Sequence, residues 1–151
     1  MAAADRARAV EGPNTLGAIS RMQHAYFVEA RHYVAVTTAT DNSANNLWLA
    51  LGIGENPNIG SKFFDFSITA AAATDDDPAS FVAQAAIPTG GSIGNAEGSL
   101  WVIQNDNRGV SDATLAALTP SWNTAPLASG VRPTRAVPTA AQAAKMVRDV
   151  N

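Results

Sequence analysis

The sequence contains no cysteine, which excludes disulfides, thiolate metal sites and cysteine nucleophiles together. Charge is scarce as well: 15% of the 151 residues are Asp, Glu, Lys or Arg, against about 25% in an ordinary globular chain. Ten Lys and Arg against 13 Asp and Glu leave a formal net charge of −3. Arg6, Arg8, Arg21 and Arg31 lie near the start and Arg132 and Arg135 near the end, so no basic footprint is legible and neither nucleic acid nor anionic lipid is expected as a partner. No apolar run approaches the roughly 18 residues of a membrane span, and Met1 to Arg8 lacks the apolar centre of a signal peptide. The chain as it stands is therefore expected to be soluble. Histidine is limited to His24 and His32, and no Ser, His and Asp are arranged as a triad. An enzyme is not expected.

What the chain does carry is pattern. Leu16, Ile19, Met22, Tyr26, Phe27, Ala30, Tyr33 and Val34 recur at steps of three and four, which predicts one amphipathic helix from Pro13 to about Val36. Proline is accepted in a first helical turn. Residues 2–11 also favour helix, so the alternative is a kinked helix running through Gly12 and Pro13. His24 and His32 would then lie two turns apart on one helix, too far to share an ion. Residues 37–46 are a polar loop, and the apolar run Leu47 to Leu51 reads as either a helical turn or a short strand.

Three alternating runs follow. Lys62 to Ala72 places Phe64, Phe66 and Ile68 on one face. Ser80 to Ile87 places Phe81, Ala83, Ala85 and Ile87 opposite Val82 and Gln84. Ser99 to Gln104 places Leu100 and Val102 opposite Trp101 and Ile103. Asp75-Asp76-Asp77-Pro78, the Gly90 to Gly98 loop and Asn105 to Gly109 punctuate them, and such short connections favour an antiparallel meander. Ser111 reads as the cap of a short helix to Leu118; residues 119–138, with four prolines, read as an extended arm; Thr139-Ala140-Ala141-Gln142 opens a final helix to about Val150. The expected architecture is a single α+β domain: helix within 1–36, connection 37–61, antiparallel sheet of three to four strands within 62–104, and an irregular region 105–151. The helix stripe of Leu16, Ile19, Met22, Tyr26 and Tyr33 is expected to lie on one face of the sheet. The Phe and Trp side chains are expected mostly in the core, with one side of Phe63 and Trp101 at the surface.

The stretch Glu11 to Glu29 resembles the second half of the long N-terminal helix of type IV pilins, above all the cyanobacterial-type pilins and the pilin-like G/H group. Asn14, Leu16, Gly17, Ile19, Arg21, Gln23, Ala25, Tyr26 and Glu29 match the pattern found there just after the membrane segment. Leu49 to Ile53, Phe63 to Ile68 and Phe81 to Ala85 resemble, in order, that family's short run before the sheet and its first strands. The resemblance covers about residues 5–105; the cysteine pair of many pilins has no counterpart here. It implies the soluble headpiece of a type IV pilin or type II secretion pseudopilin without its membrane-inserting helix. The full-length subunit would be anchored in the inner membrane, handed to a pilus or secretion assembly machinery, and built into a homopolymeric filament at the cell surface or in the periplasm. Its work would be adhesion, motility, DNA uptake or secretion. The alternative is a minor pilin or adhesin-like module presenting a ligand surface, which exposed aromatic side chains around Trp101 or Trp122 would favour.

No cofactor is expected. Some pseudopilins bind calcium in a loop after the sheet, and Asp106 and Asp112 are the oxygen ligands that would serve here, although the EF-hand spacing and its distal glutamate are missing. Asp75, Asp76 and Asp77 read as a solvated turn. Gly90-Gly91-Ser92-Ile93-Gly94 reads as a plain connection, because no lysine follows it.

Overall fold

The computed structural model describes residues 3–36, 44–54, 56–60, 63–76, 78–88, 93–103 and 108–122. Its backbone is α+β: an N-terminal helix packs on one face of a four-stranded antiparallel sheet.

The helix begins earlier and ends sooner than the apolar spacing predicts. Helix α1 covers Ala3–Ala9 and helix α2 covers Glu11–Ala30, with Val10 as the joint. Proline explains the position of the break. Its ring crowds the carbonyl four residues back and it cannot donate to it; for Pro13 that carbonyl belongs to Ala9, the last residue of α1. The chain still winds in one sense across the joint, since Val10 N–H donates to the Arg6 carbonyl and Asn14 N–H to that of Val10. At the other end Arg31 turns left-handed (φ 61°, ψ 20°) and its N–H closes on the Phe27 carbonyl at 2.9 Å. Tyr33 and Val34 therefore leave the predicted helix. They continue an extended segment whose Val36 exchanges both backbone bonds with Ile68. His32 lies beyond the helix too, so the two histidines do not share one.

Strands β1 (Asp65–Ala71), β2 (Ser80–Ala86), β3 (Ser99–Ile103) and β4 (Arg108–Val110) pair in chain order, each antiparallel to the next. The fourth lies beyond the predicted boundary of the sheet at residue 104. Only three residues long and glycine-centred, it offers no alternation to detect. The register aligns Phe66 with Ala85, Leu100 and Val110, and Ile68 with Ala83 and Val102, on the face that receives α2. Leu16 and Ile19 of α2 are fully buried in that core. Gly12 sets the approach, because a Cβ there would come within 2.7 Å of Leu100 Cδ1 and 3.0 Å of Phe64 Cζ.

The outer edge of β1 is not left open. Val36 satisfies Ile68, and the side chain of Asn58 acts as a two-point backbone mimic toward Phe66, donating to its carbonyl at 3.0 Å and accepting its N–H at 2.7 Å. Asn58 belongs to the short helix α4 (Pro57–Gly60). Before it comes α3 (Ala44–Leu51), which resolves the ambiguous apolar run as helix. Gly52, at φ 101°, ends α3 in a Schellman motif: its N–H bonds the Leu49 carbonyl and that of Ile53 bonds the Trp48 carbonyl. Helix α5 (Ala113–Leu118) follows β4 and leads to a 3-10 turn at Pro120–Trp122. Its cap is Asp112, not Ser111; Asp112 Oδ2 accepts the Leu115 N–H at 2.9 Å. Ser111 Oγ instead accepts the Ser99 N–H at 2.8 Å, tying the β3–β4 pair together. The predicted arm after Trp122 and the final helix lie outside the described residues.

Candidate functional site

Helix α2 presents three stripes, and each meets something different. Leu16 and Ile19, with Met22 and Tyr26 packed partly buried beside them, form an apolar stripe on the sheet. Gln23, a polar residue outside that stripe, is fully buried. Its amide is aimed at the segment after the helix: Nε2 donates to the Val34 carbonyl at 2.7 Å and Oε1 accepts the Val34 N–H at 3.0 Å. A buried amide satisfied in both directions by one backbone unit holds that segment in extended form beside β1. Tyr33 is tied to the same region, stacked on Phe27 at 4.6 Å and edge-on to Phe81 at 4.9 Å; partial burial pushes its hydroxyl pKa above the ordinary value. Tyr33 thus joins Tyr26 near the core from an extended segment rather than from the helix.

The second stripe follows the helical repeat through Gly17, Ser20, Arg21 and His24. It faces Arg108 of β4 and Trp122 of the 3-10 turn across an open cleft of about 230 Å³. Arg108 lays its guanidinium over the Trp122 ring, 5.2 Å from the centroid, and His24 meets Phe81 edge-on at 6.0 Å. Sequence reading missed this gathering. Arg21 and Arg108 lie far apart along the chain, and neither is part of a local basic run.

The third stripe, Asn14, Thr15 and Ala18, forms one wall of an open groove of about 550 Å³ whose other wall is Ile53, Gly54 and Pro57. Leu49 of α3 and Ile59 of α4 are 54% and 67% exposed.

Of the two aromatic side chains expected to keep one side at the surface, Phe63 does so and Trp101 does not. Trp101 and Trp122 are buried, and Phe63 is half-buried with Arg8 over its ring. Of the two calcium candidates, Asp112 is engaged as the helix cap and Asp106 lies outside the described residues. Among the described residues no group of three or more His, Asp or Glu is placed to hold a metal ion. Asp75 and Asp76 occupy an exposed bend between β1 and β2, while Asp77 and the Gly90-Gly91-Ser92 stretch lie outside the described residues.

Comparison with family models, curated proteins and solved structures finds no match. The geometry of α2 and the sheet, with the chemistry along its three stripes, is what bears on function. No described helix is long and apolar enough to cross a membrane.

Proposed function

We propose that this chain is the headpiece of a filament subunit of the type IV pilin or type II secretion pseudopilin kind, a structural protein and not an enzyme. The observation that carries the reading is the seating of α2. The stretch whose residues resemble the pilin helix is a 20-residue helix, and Leu16 and Ile19 from it are fully buried against an antiparallel sheet. At 1.5 Å per residue such a helix is about 30 Å long. Helix α1 prolongs it toward the N-terminus, the direction in which a membrane-anchored and filament-forming helix would continue. The scarcity of charge, 15% of residues, suits a surface that packs against other copies. In this reading the subunit is held in the inner membrane before assembly and then joins a homopolymer at the cell surface or in the periplasm.

The test is direct. Antibodies raised against the chain should decorate filaments sheared from the source cells along their whole length. Recovery of the protein only as free monomer, with every filament preparation unlabelled, would overturn the reading.

A second reading, a minor pilin or adhesin-like module with a ligand surface, draws support from one feature. Leu47, Leu49 and Ile59 are large, apolar and exposed on α3 and α4. In that case labelling would be confined to filament tips or scattered points.

A further inference from the structure

We propose that the short helix α4 is a plug on the outer edge of β1, and that the edge it closes is a strand-addition site for β1 of a second copy of this chain. The inference does not depend on the filament reading.

In an antiparallel strand, alternate residues turn both backbone groups to the same side. Phe66 and Ile68 turn theirs away from β2, where Asn58 and Val36 take them. Without those two partners the edge would be a row of open donors and acceptors, which is a template for another strand. Its sequence suits that pairing. Phe63 to Thr69 reads Phe-Phe-Asp-Phe-Ser-Ile-Thr: aromatic and β-branched residues, one charge, no proline and no glycine. Edge strands usually guard themselves with lysine, proline or a bulge. This stretch has neither lysine nor proline, and β1 pairs with β2 from Asp65 to Ala71 without a bulge.

The guard comes from outside the strand. A primary amide offers the same donor and acceptor as a peptide unit, so Asn58 satisfies Phe66 in both directions, at 3.0 and 2.7 Å. It presents no next residue, so pairing stops there. Asn56 Oδ1 accepts the Asn58 N–H at 2.9 Å and holds the backbone behind the amide. The plug itself is slight. Four residues cannot sustain a helix by themselves. Ile59 stays 67% exposed on α4, and a Cβ on Gly54, just before it, would meet nothing within 4 Å. Asn58 is therefore the pin of α4 as well as the stopper of the edge. Beside it Val36 covers Ile68 through a single bridge. An incoming strand that bonds Phe66 and Ile68 together displaces that bridge.

The chain's own β1 fits the site. An antiparallel pair centred on Ser67 is isologous: Phe66 of each copy meets Ile68 of the other, outward groups against outward groups. Asp65 then falls opposite Thr69, so the carboxylates of the two copies stay apart.

Sedimentation velocity and amide hydrogen exchange of the full chain test the assignment. Asn58→Ala opens Phe66 and should self-associate at least about tenfold more tightly than the parent chain. Its Phe66 amide should exchange quickly in dilute solution and slowly in concentrated solution; in the parent it should be slow in both. Asn58→Asp also loses the donor but sets a carboxylate on the edge, and it should associate no more tightly than the parent. Leu16→Ala, which weakens the core and leaves the edge shut, should behave likewise. If Asn58→Ala does not fold, Asn58→Ser is read in its place. Association no tighter than in the parent or in Leu16→Ala, or a Phe66 amide whose exchange is the same at every concentration, would overturn the proposal.

Discussion

The two faces of the sheet are both buried, yet they are built from different chemistry. The face under α2 carries Phe66, Ile68, Phe81, Ala83, Ala85, Leu100 and Val102, and all belong to the continuous core. The opposite face carries Ser67, Ser80, Gln84, Ser99 and Trp101 with Val82 and Ile103, all at 9% exposure or less. On the first face burial removes apolar surface from water, worth about 25 cal/mol per Å². On the second, burial also strips water from polar atoms, and three of them, Ser80 Oγ, Gln84 Oε1 and Trp101 Nε1, have no hydrogen-bond partner among the described residues. A buried polar atom left in that state costs about 1–3 kcal/mol. Position inside a sheet is therefore no measure of contribution: the buried residues of the helix-covered face are apolar, whereas on the other the burial of Trp101, Val82 and Ile103 is partly offset by polar atoms.

The sharpest way to break this contrast is to attack the first face. Leu16→Ala should destabilise the chain by about 2–5 kcal/mol, because it removes a fully buried side chain and leaves a cavity under the helix. Urea unfolding with an unchanged slope would measure it. A loss below about 1 kcal/mol would mean that α2 does not rest on the sheet as described.

On the second face the most sensitive position has no side chain. Gly109 pairs with Trp101 across β3 and β4, and a Cβ at 109 would come within 2.5 Å of Trp101 Cζ2. The six-membered ring of the indole lies against the glycine. Gly109→Ala must push that ring off its seat, and the expected cost is about 1–3 kcal/mol. The Trp101 indole is shut away from water, so its fluorescence should shift to longer wavelength in the variant. An unmoved spectrum with unchanged stability would contradict the close contact of Trp101 with Gly109.

These contrasts mark what could be read from the sequence. The alternation of Phe64, Phe66 and Ile68, and the spacing of Leu16 and Ile19, directly encode which side faces inward, and the α+β arrangement follows from them. Local spacing misled at Tyr33 and Val34, which keep helical intervals while the chain has already turned at Arg31. A left-handed non-glycine residue gives no composition signal, and the Gln23 amide that fixes Val34 acts across eleven positions. Alternation in β2 and β3 showed two faces without showing that both are buried, so Trp101 was expected partly at the surface. The Arg21–His24–Arg108 cleft was illegible for a simpler reason: two of its residues share a helix face and the third arrives by strand pairing.

A smaller effect is expected where the two faces meet at the edge. Asp112 caps α5, and α5 delivers fully buried Leu115 to the first face. Asp112→Ala should cost about 1 kcal/mol, the usual value of a lost N-cap, and Asp112→Asn should recover most of it. Thermal unfolding of the pair separates the hydrogen bond from the charge. Equal losses in both variants would show that the carboxylate does something other than cap the helix.

The smallest net effect is expected of a double variant, and it is the most telling for the second face. Gln84 Nε2 donates to Ser99 Oγ at 2.9 Å, while its Oε1 has no partner among the described residues. Ser99→Ala alone removes the acceptor that this amide has among the described residues and should cost about 1–3 kcal/mol. Gln84→Met together with Ser99→Ala removes donor, acceptor and orphan oxygen at nearly constant shape. The double variant should therefore return to within about 1 kcal/mol of the parent chain, or exceed it in stability. A cycle of the two single variants and the double isolates their coupling. If the double variant proves less stable than Ser99→Ala, the polar atoms of this face strengthen the fold, and the unequal roles assigned to the two sides of the sheet are wrong.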